Sequence, residues 1–533
     1  MFIEFIGADH EVTGSCHFLE LAGKYLLVDC GMEQGADIYQ NQELPVNPSD
    51  IDYILLTHAH IDHSGLLPLM YSHGFRGQIY TTGATKDLCD IMLRDSAHIQ
   101  MFEADWKNRK AKRSGMEEVQ PLYTMEDAFG VMKYFVPCDY GQKIVLDDNI
   151  QVRFTDVGHL LGSASIEIWA KEEEKQVKLV FSGDVGNKAQ PILRDPINTD
   201  EADYVIMEST YGDRLHGTEH VDYVTELASI IQRTLDRGGN VVIPAFAVGR
   251  TQELLYFLRK IKRDNLVHGH DGFPVYVDSP LAIEAITVFN RNVNGYFEEE
   301  AMELIRQGIN PISFPGLKTT ITSEESKMIN MDTEPKVIIS ASGMCEAGRI
   351  RHHLKHNLWR KESSVVFVGY QANGTLGRAL LEGVEEVNLF GEPVEIQAEI
   401  CQLEGISGHA DKNGLIQWVT AIENVHKVFV VHGEDTVCDL FASCLRNEYG
   451  LDAEAPFSGH RYDLLNHQWV AQAAPVYVQK KEKAKKRKDE VFEKLLAAGQ
   501  RLLSVIRHNE GGANKDLAKF TNQINAMCDK WDR

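Results

Sequence analysis

The chain lacks an apolar run long enough to span a bilayer, a C-x-x-C pair, a surplus of basic charge and a recognisable leader. Each absence removes a class of protein. Without a run of about 20 apolar residues no transmembrane helix is expected, and no membrane partner with it. The opening MFIEFIGADHEVTGSCHFLEL has neither the basic flank nor the apolar stretch of a signal peptide, and its pattern predicts strand, turn, strand. Nine scattered cysteines predict free thiols in a reducing cytoplasm, because an odd number without close pairs suits neither a disulfide framework nor a Cys-zinc site. The net charge of −24 leans against a protein that grips a long polyanion, since such proteins usually present a basic face. Bound cations would offset part of that acidity, and the rest would have to lie away from a nucleic-acid path.

What is present is an ordinary globular composition, 43% apolar and 25% charged, spread over 533 residues. That length exceeds what one core usually organises, so more than one domain is expected. The first part alternates short β-branched runs with Gly-rich turns, at Tyr25–Asp29, Tyr53–Thr57, Val152–Thr155, Lys178–Ser182 and Tyr204–Glu208. From about 210 to 393 the rhythm becomes strand, loop, helix, as in NVVIPAFAVGRTQELLYFLRKIK, which predicts a parallel α/β layer. From 394 to 462 strands again end in His-bearing loops. A tail follows, with the basic run Lys480–Lys488 and a helical apolar pattern at Val491, Leu495, Leu502 and Ile506.

The densest chemistry is THAHIDHSG, residues 57–65, just past the apolar run YILL. His58 and His60 are separated by one short residue, which lets both imidazoles converge on one ion. Asp62 and His63 follow on the turn and can reach a second ion. A lone histidine is ordinarily a surface or satisfied core group; three with an aspartate inside six residues are not. Further ligands have to come from elsewhere, and three strand-terminal loops offer them: FTDVGHLLGS with His159, VFSGDVG with Asp184 and VFVVHGE with His432.

HAHIDH with His159, Asp184 and His432 resembles the metallo-β-lactamase fold hydrolases, an αββα sandwich with metals at one edge. VIMEST with Glu208, SGHAD with His409 and VHGE with His432 look like the three extra motifs of the β-CASP group, which inserts a cap domain and acts on nucleic acids. The resemblance covers about residues 1 to 462. It implies two Zn²⁺, one held by His58, His60 and His159 and the other by Asp62, His63 and His432, with Asp184 bridging. Asp29, in LLVDCG, would orient ligands rather than bind metal. Relatives acting on RNA carry histidine at the last motif, so His432 implies RNA as the substrate and outweighs the unfavourable charge.

The resemblance also implies a mechanism. Two ions about 3.5–4 Å apart activate water and clamp the phosphate in an in-line displacement, and Asp62 and Asp184 thereby belong to the reacting centre. His409 would protonate the departing 3′-oxygen, with Glu208 orienting it. In the insert, Arg250, Ser342, Thr375 and Arg378 sit at Gly-bearing turns that open helices, where backbone N–H groups and guanidinium forks suit phosphates. The fold expected is therefore α/β: a sandwich over 1–209 and 394–462, a β-CASP insert over 210–393, and a basic linker with a helical extension over 463–533. Two rivals stand beside a ribonuclease cutting internally or from a 5′ end. One is a small ester or thioester hydrolase of the same fold; the other is a non-catalytic scaffold subunit, disfavoured because all seven ligand positions are filled. A homodimer is compatible with this reading.

Overall fold

Short runs of Val, Ile, Leu and Tyr bounded by Gly and Asp form strands because branched side chains suit a pleated, half-buried surface while the flanking residues turn the chain. In Ile150–Asp156, for example, Val152 and Phe154 point inward while Gln151 is exposed. The structure, a computed structural model, describes residues 1–35, 38–114, 118–216, 222–403, 405, 407–478, 502, 506, 509–510 and 514–531. Among these no helix is long and apolar enough to cross a membrane. All nine cysteines are free thiols.

Two mixed sheets face each other. The first has eight strands in the order Gln468–Ala471, Arg461–Asp463, Phe2–Gly7, Cys16–Leu21, Lys24–Val28, Tyr53–Leu55, Gln78–Thr82 and Phe135–Cys138. The second has seven, in the order Ala453–Glu454, Lys427–Val430, Tyr204–Met207, Lys175–Phe181, Ala164–Glu172, Ile150–Asp156 and Lys143–Asp147. Phe5, Leu19 and Leu26 from one sheet meet Phe154, Ile166, Phe181 and Phe429 from the other in a shared core. Each such side chain contributes about 1.5–3 kcal/mol on burial. Helix Gly83–Ser114 covers the outer face of the first sheet through Leu88, Leu93 and Ala97. Helices Lys412–Thr420 and Asp435–Tyr449 cover the second through Leu415, Trp418, Phe441 and Leu445. This is the expected αββα sandwich.

The insert is a six-stranded sheet, all parallel, in the order Leu317–Thr319, Val275–Val277, Val337–Ser340, Val241–Pro244, Ser364–Val368 and Glu399–Leu403. Val241 and Ile243 pack into one core and Val242 into another, so both faces are covered. That is why these strands read as unbroken apolar runs rather than alternating ones.

The sheets divide the chain differently from the sequence expectation in two places. Glu399–Leu403 pairs with Ser364–Val368 and so extends the insert's sheet past residue 393; its apolar pattern would suit either sheet, and pairing alone decides. The expected tail from 463 also begins too early. Arg461–Asp463 pairs with Phe2–Gly7, Gln468–Ala471 pairs with Arg461–Asp463, and the compact unit runs from Met1 to Val476. The second unit, Tyr477–Arg533, contains the helix Asn514–Trp531. The basic run Lys480–Lys488, with Val491 and Leu495, lies outside the described residues. A chain ending at 462 loses buried Leu464 and the Trp469 packing. It should therefore melt several degrees below one ending at 476, since removing a buried leucine costs about 2–5 kcal/mol; equal melting temperatures would return the boundary to 463.

Candidate active site

Three parallel neighbours in the second sheet, Lys175–Phe181, Tyr204–Met207 and Lys427–Val430, end together and deliver Asp184, Glu208 and His432 side by side. Opposite them, Tyr53–Leu55 ends in the loop of His58 and His60 and the short helix Ile61–Ser64 with Asp62 and His63. His159 follows Ile150–Asp156. Ligand-bearing loops at carboxyl ends of strands stand on a rigid frame. Glycine lets those loops close: a Cβ on Gly31 would lie 1.7 Å from the Asp62 carbonyl oxygen, and Gly183, at φ +56°, lies against Thr57.

The side chains form two clusters sharing one carboxylate. In the first, His58 Nε2 lies 3.1 Å from His60 Nδ1, which lies 3.2 Å from His159 Nε2. Asp184 Oδ2 is 3.4 Å from both His58 Nε2 and His159 Nε2. In the second, His63 Nε2 lies 3.1 Å from His432 Nε2, with Asp62 Oδ2 at 3.7 Å from His432 Nε2. Asp184 Oδ1 stands 3.3 Å from His63 Nε2. Ligands about 2.0–2.1 Å from a tetrahedral zinc stand about 3.3 Å from one another, so these separations fit. Asp184 is 2% exposed and its Oδ1 has no hydrogen-bond partner, an orphaned buried anion that a cation would satisfy.

Electrostatics differ between the two clusters. Burial pushes His58, His60 (to about 3) and His159 down, leaving neutral imidazoles, the form that binds metal. Burial acts the same way on His63 and His432, but Asp184, with Asp29 at the first and Asp62 at the second, outweighs it and holds both up. Burial would raise Asp184, yet His432, His63 and His58 hold it well below the usual carboxylate range.

The far nitrogens are fixed as well. His63 Nδ1 donates to Asp29 Oδ2 at 2.7 Å, and Asp29 Oδ1 accepts from the Thr57 amide at 2.8 Å. His159 Nδ1 donates to the Gly408 carbonyl at 3.0 Å; His58 Nδ1 and His432 Nδ1 meet the hydroxyls of Thr57 at 3.1 Å and Thr210 at 3.2 Å. Thr57, Thr210 and Gly408 escaped sequence reasoning; only their adjacency to His58, Glu208 and His409 pointed to them.

Glu208 and His409 make a separate pair beside the clusters. Glu208 is 1% exposed, and its carboxylate accepts from the Val185 amide at 2.6 Å and from His409 Nδ1 at 3.2 Å. Burial alone would push His409 down; the Glu208 and Asp184 charges outweigh it and hold it up at about 9. Its Nε2 lies 4.0 Å from Asp184 Oδ2, and its side chain is 22% exposed. His409 Nε2 thus stands at the edge of the cleft lined by the two clusters.

The insert residues behave differently. Arg250 is paired with Glu253, and Arg378 Nε donates to Glu382 at 2.7 Å. Thr375 caps its own helix by accepting from the Arg378 amide at 3.2 Å, and the Ser342 hydroxyl donates to the Ala347 carbonyl at 3.2 Å. Among the described residues none of the four hydrogen-bonds to the clusters. Gly249, which precedes the Arg250 helix, lies against the His159 loop, since a Cβ there would stand 3.2 Å from Leu160.

Known proteins share this arrangement of parts. Residues 11–93 match the metallo-beta-lactamase superfamily, 251–380 the Beta-Casp domain, and 393–456 the Zn-dependent metallo-hydrolase RNA specificity domain. Ribonuclease TTHA0252 of Thermus thermophilus is 38% identical over 432 residues, covering 80% of this chain and 92% of that protein. Transcription termination factor FttA is 30% identical in Methanocaldococcus jannaschii, over 86% of this chain and 70% of that one. In Pyrococcus abyssi it is 31% identical, over 85% and 69%. A solved structure titled as a protein of unknown function from Enterococcus faecalis V583 matches at TM-score 0.50 and 13% identity, over 86% of this chain and 99% of that one, which speaks to fold alone.

Proposed function

The chain belongs to the β-CASP group of the metallo-β-lactamase superfamily, and from that premise we propose that it is a metal-dependent ribonuclease using two Zn²⁺. The observation carrying this reading is the pair of clusters joined through the two oxygens of Asp184, with a carboxylate-held histidine beside them. His58, His60 and His159 would hold one ion, Asp62, His63 and His432 the other, and Asp184 both. When bound, such ions supply Lewis acidity toward the attacking water and the phosphate oxygens.

The chain's own groups do the rest. Asp29, Thr57, Thr210 and Gly408 fix the ring orientations, so little reorganisation is needed as charge develops. His409 holds a proton at Nε2, on the side facing the cleft, where a departing 3′-oxygen would take it; Glu208 stabilises the cation that gives the proton up. The products are a 5′-phosphate and a 3′-hydroxyl. Arg250, at a helix N-terminus whose Gly249 lies against the His159 loop, would meet a neighbouring phosphate. Arg250, Ser342, Thr375 and Arg378 would each have to release a local partner first.

Incubating the zinc-loaded protein with an RNA oligomer labelled at either end, in parallel with a generic thioester, tests the reading. RNA should be cut and the thioester spared, with about two zincs per chain by elemental analysis. Thioester turnover without RNA cleavage would point to the small-molecule branch, and a zinc-free inert protein to a scaffold.

A further inference from the structure

The general acid assigned above is only as good as the backbone that presents it. His409 lies on a Gly-flanked loop, and its ring is held on one side, through Nδ1 on Glu208. Its amide donates to the Ser407 hydroxyl at 3.1 Å, and the next amide, of Ala410, donates to the Val185 carbonyl at 2.7 Å. The carbonyl of His409 is engaged by a residue with no role so far. His216 Nε2 donates to it at 2.9 Å. A carbonyl only accepts, so this bond fixes the proton of His216 on Nε2.

Two further bonds lace the same segments together. The His216 amide donates to Asp411 Oδ2 at 3.2 Å, and the Lys412 amide donates to the Arg214 carbonyl at 3.0 Å. The Tyr211 ring packs edge-on against His216 at 4.9 Å and against His409 at 5.9 Å. Tyr211 to His216 is the continuation of the turn that begins at Glu208. One stretch of chain therefore carries the carboxylate at its start and grips the main chain of the acid at its end. A histidine serving only to hold a surface loop would have no need to bond the backbone of the one residue that faces the leaving group.

We propose that His216 is a positioning residue for departure of the 3′-oxygen: its Nε2–H clamps the His409 carbonyl so that Nδ1 meets Glu208 and Nε2 faces the cleft. The proposal rests on the ribonuclease reading of the site. A displacement of about 1 Å at a reacting group can cost about 10²-fold in rate, so loosening the clamp should be visible in kcat.

The test uses the full zinc-loaded chain as His216→Ala and His216→Gln, on an RNA oligomer and on a 4-nitrophenyl phosphodiester whose leaving group needs no proton. His216→Ala should lower kcat on RNA by about 10- to 100-fold. KM, zinc content and the nitrophenyl rate should each stay within about twofold, because only proton delivery is disturbed. His216→Gln, which can still donate to the carbonyl, should recover much of the loss. An equal fall on both substrates, loss of zinc, or an unchanged RNA rate would overturn the clamp. If the parent protein turns over the nitrophenyl ester but no RNA, the ribonuclease reading falls. The clamp is then judged on the ¹⁵N and ¹H shifts of the His409 imidazole in the zinc-loaded protein. His216→Ala should move them; unchanged shifts would overturn it.

Discussion

Asp184→Asn should abolish RNA cleavage and release metal in the same variant. The carboxylate is 2% exposed and sends Oδ2 into the cluster of His58, His60 and His159 and Oδ1 into that of His63 and His432. Asparagine keeps the volume but removes the negative charge and replaces one acceptor oxygen with an NH₂ donor. That donor would point at imidazole nitrogens or at a cation, the wrong polarity in either case. Because one residue serves both clusters, occupancy of both should fall together, and the rate should drop by more than about 10³-fold, beyond the loss of a single stabilising donor. Elemental analysis after dialysis, with RNA cleavage on the same sample, reads the two effects. Full activity with two bound zincs would remove Asp184 from the centre.

His409→Ala and His432→Ala should separate chemically although the residues are near neighbours in sequence. His432 Nε2 stands 3.1 Å from His63 Nε2 among the candidate ligands, whereas His409 is tied to Glu208 and only its Nε2 looks toward Asp184. His432→Ala should lower both metal retention and rate. His409→Ala should keep its metal and lose about 10²–10⁴-fold in rate on RNA, the usual scale of general acid catalysis. A nitrophenyl phosphodiester should restore most of the loss in His409→Ala and little in His432→Ala. Parallel behaviour of the two variants, or zinc loss from His409→Ala, would make His409 a ligand or a support for one.

The spacing of His58, His60, Asp62 and His63 points to a shared cluster directly, because side chains that close in sequence share a turn. The strands beneath the site were equally legible, since their apolar runs and Gly-Asp boundaries are local. His159, Asp184 and His432 were not readable from spacing; they become partners only through sheet pairing, and a resemblance had to bring them together. The ligating atom is hidden too: His60 presents Nδ1 while its neighbour His58 presents Nε2, a choice made by the path of the loop. The insert arginines have a second, local reading. Arg250 with Glu253 and Arg378 with Glu382 are ordinary helical pairings that the sequence displays openly. Which of two sheets the strand Glu399–Leu403 joins is carried by no local pattern.

Every candidate ligand lies outside the insert, on the strands that precede Glu208 or the one that leads to His432. The stretch from Val241–Pro244 to Glu399–Leu403 builds a sheet of its own and contributes none of them. The candidate metal-holding side chains and the inserted sheet are thus separable parts of one chain. Side chains of the insert can change without altering any of the seven candidate ligands.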